Sequence, residues 1–284
     1  MSAPAVPEAP PSLEAKAEAV RRAFAAAGPT LVAFSGGVDS TVVAALAHDA
    51  LGDKMLAVTA DSETIFPGEV DEARAIAASR GWRHLILRRS ELRDPAFAAN
   101  SDLRCFYCKD DLHEALREVA DARGFRAVAD GTNASDLGGP RPGFRAVRER
   151  GAISPLVDAG FTKEDVRALA RAMGLPNADK PALACLSSRF PHGQLISLEG
   201  LDRVARAEQR VRETLGAELV RVRDTGGVAR VEVARDRVVE ALTRRADLTR
   251  SLLDLGFSAV FVDPDGYRSG GADLARAPQA SLVR

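Results

Sequence analysis

Ser35-Gly36-Gly37-Val38-Asp39-Ser40 lies between a short apolar run, Thr30–Phe34, and a segment from about Asp39 to Leu51 whose apolar residues fit a helix. A buried strand, a glycine turn and a helix in that order make a ready anion site. The glycines let the backbone turn tightly and approach a ligand, and the helix start presents N–H groups with no partner of their own. Ser35 and Ser40 add hydroxyl groups. The stretch lacks the Gly-Lys-Ser/Thr ending of the common phosphate loop, which argues against a γ-phosphate kinase or GTPase. Asp39 would repel a phosphate unless a divalent cation lay between them, so Mg²⁺ is expected beside it. Ser35, Gly36, Gly37, Asp39 and Ser40 are the candidate phosphate contacts.

Outward from this stretch the chain alternates. Leu13–Ala27 reads as a helix closed by Gly28-Pro29, Lys54–Ala60 as a strand, Pro67–Arg80 as a helix and His84–Arg88 as a strand. A polar stretch leads to a helix near Lys109–Arg123 and a strand at Arg126–Asp130. Residues 131–152, rich in Gly, Pro and Arg, read as a long functional loop. Ile153–Leu156 reads as a further strand, and Thr162 with Asp165 opens a helix that ends at Gly174. Strands alternating with helices predict an α/β, Rossmann-like parallel sheet covered on both faces. Past about residue 190 the pattern changes to a smaller α+β domain. It has a helix at Leu198–Leu215, a hairpin of Leu219–Arg223 and Val228–Val233, a helix around Arg235–Leu255 and a strand at Ala259–Val262. The expected organisation is a disordered tail (1–12), a nucleotide domain (13–190) and a C-terminal domain (191–284). Trp82, His84 and His48 read as structural.

The composition narrows the class. The chain has 284 residues, 46% hydrophobic and 28% charged. This is too apolar for a disordered chain, and no apolar run approaches the ~20 residues of a membrane span. The first residues lack the basic start and apolar core of a signal peptide, and three cysteines do not make a disulfide scaffold, so a cytoplasmic protein is expected. Basic and acidic side chains number 39 and 40, a balance that disfavours a nucleic-acid partner. The cysteines are then available for chemistry. Cys105 and Cys108 form a C-x-x-C unit, and Cys185 stands far downstream. Three thiolates suit a [4Fe–4S] cluster with one open iron. Zinc with His113 or His192, a redox pair, sacrificial sulfur chemistry and plain burial are the other readings, and spacing alone does not choose among them.

The stretch 35–40 resembles the PP-loop signature of the ATP pyrophosphatases, which implies ATP binding, pyrophosphate release and transfer of AMP to an acceptor oxygen. In such folds ligands sit at the carboxyl ends of the strands, so Asp61 and Ser62 after one strand, and Asp130, Gly131, Thr132 and Asn133 after another, should line the nucleotide site. Further motifs narrow the resemblance. They are Ala184-Cys185-Leu186-Ser187-Ser188-Arg189-Phe190-Pro191-His192-Gly193, Arg141-Pro142-Gly143, Val220-Arg221-Val222-Arg223 and Gly266-Tyr267-Arg268-Ser269-Gly270. Together they resemble the LarE-type sulfur transferases over about residues 13–271.

That resemblance implies adenylation of a carboxylate of pyridinium-3,5-biscarboxylic acid mononucleotide and its conversion to a thiocarboxylate, in the making of a nickel-pincer nucleotide. Some members surrender the sulfur of the cysteine matching Cys185 and lack the C-x-x-C pair. This chain has the pair, so it resembles the cluster-bearing kind, with Cys105, Cys108 and Cys185 as ligands and sulfide, or another sulfur donor, as the source. The resemblance assigns the substrate phosphate to Arg221 and Arg223, with Glu208 nearby, and suggests a homo-oligomer such as a hexamer. On a turn at Asp224–Gly227, Arg221 would stand opposite Arg230, a like-charge pair in need of an anion or of Glu232. A PP-loop tRNA thiolase is the alternative.

Overall fold

The computed structural model describes residues 11–138, 141–181 and 184–268. The predicted tail up to residue 10, and the motif residues Ser269 and Gly270, lie outside them. The chain divides into two compact units, and the division is not the expected single cut near 190. The first unit comprises the described parts of Met1–Ala60, Glu69–Leu87 and Lys109–Ala182. The second comprises the described parts of Asp61–Gly68, Arg88–Cys108 and Leu183–Arg284. Two short segments from within the expected nucleotide domain thus belong with the C-terminal one.

The first unit begins with α1 (Leu13–Ala27), capped by the Ser12 side chain, which accepts a hydrogen bond from the Ala15 N–H. Then follow β1 (Thr30–Ala33), α2 (Val38–Leu51), β2 (Met55–Asp61), α3 (Glu69–Ser79) and β3 (His84–Arg88). After α4 (Pro95–Ala98) come α5 (Arg104–Ala122), β4 (Ala127–Ala129), α6 (Pro142–Glu149), α7 (Pro155–Asp158) and α8 (Lys163–Ala172). The sheet order is β3-β2-β1-β4, with β1 parallel to both neighbours. Strand residues alternate between two cores. Val32, Met55 and Ala57 join α1, α2, α3 and α8. Leu31, Leu56 and Val58 join Leu116 and Ala120 of α5. The expected α/β sheet covered on both faces is therefore present, and its order reverses at β1–β4, where ligand crevices form.

Three local readings change. The expected loop 131–152 contains a 3₁₀ turn, Ala134–Leu137, and the helix α6, for which Pro142 supplies a preset first turn. Ile153–Leu156 makes only a single bridge, Ile153 to Ala129, before Pro155 opens α7. Helix α5 starts at Arg104, ahead of the expected Lys109, so Cys105 and Cys108 lie within its first turns, three residues apart and on one face. The capping box at Thr162 and Asp165 forms as expected.

The second unit holds α9 (Leu198–Leu215), β5 (Val220–Thr225), β6 (Val228–Val233), α10 (Val238–Thr243), α11 (Arg245–Leu253) and β7 (Ala259–Val262). Its sheet order is β5-β6-β7, antiparallel in the hairpin and parallel from β6 to β7. The helix expected over Arg235–Leu255 is broken at Arg244 (φ −89°, ψ 12°), which separates α10 from α11. Phe97, Leu186, Phe190 and Ile196 complete the core of this unit. Phe97 explains why the polar stretch after β3 belongs here. No helix of the described residues is long and apolar enough to cross a membrane.

Candidate active site

The loop after β1 is built from its own polar atoms. Gly36 has φ +74°, and a side chain there would meet Ala73 of α3 at 3.1 Å, so both backbone angle and space require glycine. The Ser40 hydroxyl donates to the Gly37 carbonyl (3.0 Å) and lies 3.2 Å from the Ser35 N–H. The Thr41 hydroxyl donates to the same carbonyl at 2.8 Å. Gly37 is the N-cap of α2 and supplies no capping side chain, so the first N–H groups of that helix keep their positive end for a ligand. At the end of β4, a Cβ on Gly131 would sit 2.8 Å from the Ser40 nitrogen, so only glycine lets β4 approach the helix start. Asp130 is engaged by the hydroxyls of Ser154 (2.7 Å) and Thr132. It is held as a structural acceptor. Asp61 ends β2 and lies 3.8 Å from the Arg88 guanidinium, and Ser62 contacts the Thr64 hydroxyl at 3.1 Å.

Asp39 carries the electrostatic signature of a cation site. Burial pushes its carboxyl above the ordinary carboxylate range, and the charge of Asp136 pushes further, against weaker opposition from Lys163, Asn133 and Arg167. A divalent ion beside Asp39 would relieve this repulsion, with phosphate oxygens supplying the remaining ligands. The residues present therefore fit Mg²⁺. Sequence reading missed Asn177, which reaches this loop from beyond α8 and gives both its amide hydrogens to it.

In the second unit a buried charge network surrounds the hairpin. The turn consists of Gly226 and Gly227 alone, with φ +60° and +87°, which shifts the register by two residues from the expected one. Arg221 faces Glu232, and it is Arg223 that faces Arg230. Glu232 compensates that like-charge pair, taking Arg223 and Arg230 at 2.9 Å each. Glu208 is fully buried in a two-point pair with Arg189 (2.7 and 3.1 Å). It also accepts from Arg212 (3.0 Å) and from the Val222 N–H (3.0 Å). Its lone pairs are committed, so it holds the arginines in place and does not itself meet a phosphate. Arg221 stacks over Tyr267 at 5.4 Å, and burial, reinforced by Arg189, lowers its pKa. Four buried guanidiniums (Arg189, Arg221, Arg223, Arg230) thus share this region with three buried carboxylates (Glu208, Glu232, Asp263). An anion suits that excess.

The same network grips the Cys185 segment. Arg189 donates to the carbonyls of Ala184 (2.7 Å) and Cys185 (3.1 Å), and Arg223 to that of Ser188 (2.8 Å). Arg104, next to Cys105, donates to the Ser187 carbonyl (3.1 Å) and to Asn100 (2.5 Å). The Asn100 amide in turn donates to the carbonyls of Pro191 (2.8 Å) and Gln194 (3.0 Å). The C-x-x-C helix start and the Cys185 segment are therefore stapled together. None of the cysteines is in a disulfide, and the Cys185 sulfur contacts the Ser187 hydroxyl at 2.9 Å. Among the described residues no group of three or more His, Cys, Asp or Glu side chains is set to hold a metal ion, so the zinc reading with His113 or His192 has no site there. For an iron–sulfur centre, the donor type and the stapled segments fit, while the sulfurs themselves are not gathered.

Residues 13–134 match the Asparagine synthase family, whose domain is a PP-loop ATP pyrophosphatase. An uncharacterized protein of Synechocystis is 41% identical over 91% of this chain and 97% of its own. A pyridinium-3,5-bisthiocarboxylic acid mononucleotide synthase of Lactiplantibacillus plantarum is 39% identical over 84% of this chain and 87% of its own. The chain belongs to the LarE-type sulfur transferases. A glutamine-hydrolyzing GMP synthase of Archaeoglobus fulgidus is 25% identical over 52% of each chain. As a LarE-type protein, this chain is an ATP-dependent sulfur transferase that forms AMP and pyrophosphate.

Two outcomes follow from this geometry. Because the folded Asp39 carboxyl binds its proton more tightly than the unfolded one, the ligand-free protein loses stability as pH rises through the folded pKa of this group. Asp39→Asn should therefore raise the ligand-free melting temperature at neutral pH, while ATP-dependent pyrophosphate release drops by about 100-fold or more. Glu208→Ala should cost about 3–5 kcal/mol in urea unfolding, because it leaves the fully buried Arg189 uncompensated.

Proposed function

We propose that this chain adenylates a carboxylate of pyridinium-3,5-biscarboxylic acid mononucleotide and converts it to a thiocarboxylate, a step toward a nickel-pincer nucleotide. The observation that carries the reading is the buried guanidinium excess around Arg221 and Arg223, in a chain 39% identical to a synthase of the bisthiocarboxylic mononucleotide. An anionic mononucleotide needs a phosphate site separate from that of ATP, and this network supplies the charge for one.

In this reading Ser35, Gly36, Gly37, Asp39, Ser40, Asp61, Ser62 and Gly131 form the ATP site, with Mg²⁺ held by Asp39. A substrate carboxylate oxygen attacks the α-phosphorus of ATP, the bond to the pyrophosphate oxygen breaks, and pyrophosphate leaves. A sulfur nucleophile then attacks the acyl carbon, and the carbon–oxygen bond to AMP breaks to leave a thiocarboxylate and AMP. The chain contributes positioning and charge: helix and loop N–H groups hold the phosphates, and the arginine face holds the mononucleotide. Cys105, Cys108 and Cys185 would hold a [4Fe–4S] cluster, which when bound supplies an open iron for sulfide. Their place on stapled segments, with the C-x-x-C pair at a helix start that favours thiolates, supports that assignment.

Arg221→Ala should raise the KM for the mononucleotide by about tenfold or more and leave ATP binding unchanged. Equal loss of both would sink the two-site picture. Anaerobic reconstitution of the full chain should give broad iron–sulfur absorption that Cys105→Ser and Cys108→Ser abolish. Full activity in iron-free protein would remove the cluster from the reading.

A further inference from the structure

We propose that Asn177 is a positioning residue for ATP, one that sets which way the Gly36–Gly37 peptide faces. The proposal rests on the reading that the loop 35–40 holds nucleotide phosphates. Asn177 lies beyond α8 and is 7% exposed. One amide hydrogen goes to the Gly36 carbonyl (2.8 Å) and the other to the Thr41 hydroxyl (2.8 Å). That hydroxyl donates its own proton to the Gly37 carbonyl (2.8 Å). Asn177 therefore holds two successive carbonyls, one directly and one through Thr41.

A trans peptide is planar, with its C=O and N–H pointing in opposite directions. Fixing the Gly36 carbonyl toward Asn177 aims the Gly37 N–H away from it, to the side where the Ser35 hydroxyl lies 3.3 Å off. Successive N–H groups aimed to one side make an anion-binding nest. The peptide needs such a hold. It joins two glycines, so no Cβ resists its rotation, and the loop by itself does not choose between the two faces.

Two observations separate this role from general packing. The Asn177 side-chain oxygen is buried and has no hydrogen-bond partner among the described residues. A buried unpaired acceptor is costly, so the amide is in place for its donors. The segment carrying Asn177 is also braced from two sides. Arg167 donates to the carbonyls of Ala178 and Lys180 (3.0 Å each), and Lys180 pairs with Glu72 of α3 at 2.5 Å. A braced amide can impose an orientation that a loosely held one could not.

Asn177→Asp, which keeps the shape and removes the donors, tests the proposal in the full-length protein. The readouts are kcat/KM for ATP, inhibition by inorganic pyrophosphate, and binding of adenosine, which has no phosphate, followed by NMR titration. The expected result is a fall of about tenfold or more in kcat/KM, a matching loss of pyrophosphate affinity, and adenosine affinity unchanged. Asn177→Ser, which retains one donor, should recover part of the loss, and it is read the same way should Asn177→Asp not fold. Unchanged pyrophosphate affinity overturns the proposal, and so does equal weakening of pyrophosphate and adenosine. If the unsubstituted protein binds neither probe, it is the nucleotide-site reading that fails.

Discussion

The Arg189–Glu208 ion pair holds the second unit together at a point where its elements would otherwise have no common anchor. Glu208 stands on the apolar stripe of α9, between Val204 and Val211, where a carboxylate costs several kcal/mol unless every lone pair is used. All of its partners come from elsewhere: the guanidinium of Arg189, the Arg212 side chain one turn on, and the Val222 N–H of β5. Arg189 then directs its remaining donors to the backbone of Ala184 and Cys185. One buried pair thereby fixes a helix, a strand and the cysteine segment relative to each other. Such a pair adds little net stability compared with an apolar substitute. What it adds is specificity of arrangement, which a site that must hold a charged substrate requires.

The first unit solves a different problem, that of aiming backbone donors without a side chain to cap them. Gly37 begins α2 and offers no hydroxyl or carboxylate, so the helix start stays open. The loop's own hydroxyls, Ser40 and Thr41, turn inward to the Gly37 carbonyl, and Asn177 takes the Gly36 carbonyl. Inward carbonyls and outward N–H groups are two consequences of the same planar peptides. Asp39 completes the arrangement with a carboxylate that burial and Asp136 both disfavour in its charged state. A site with unused N–H groups beside an unrelieved carboxylate is matched to a phosphate that arrives with its cation.

Much of this was readable from local pattern. The strand–glycine–helix stretch at 30–51, the alternation of later strands and helices, and the Thr162 capping box all rest on residues close in sequence, and each forms. The sequence also contained a signal that went unused: a glutamate on the apolar stripe of α9 announces a buried cation. Errors cluster where a proline or glycine admits two readings. Pro142 and Pro155 start helices in stretches that resembled a loop and a strand. The Asp224–Gly227 stretch turns on two residues where four were available, and this places Arg221 opposite Glu232.

By itself, the amino-acid sequence determined the phosphate-loop chemistry, the α/β class and the presence of three cysteines with an arginine hairpin. These depend on residue type and on periods of 2 and 3.6, which a chain expresses locally. Only the tertiary structure decided the hairpin register and the transfer of Asp61–Gly68 and Arg88–Cys108 to the second unit. It also decided the staple from Arg104 to the Cys185 segment and the reach of Asn177 to Gly36. Each of these joins residues far apart in the chain. Their partners are chosen by which buried donors and carboxylates must be satisfied once the cores have formed, and no local period records that choice.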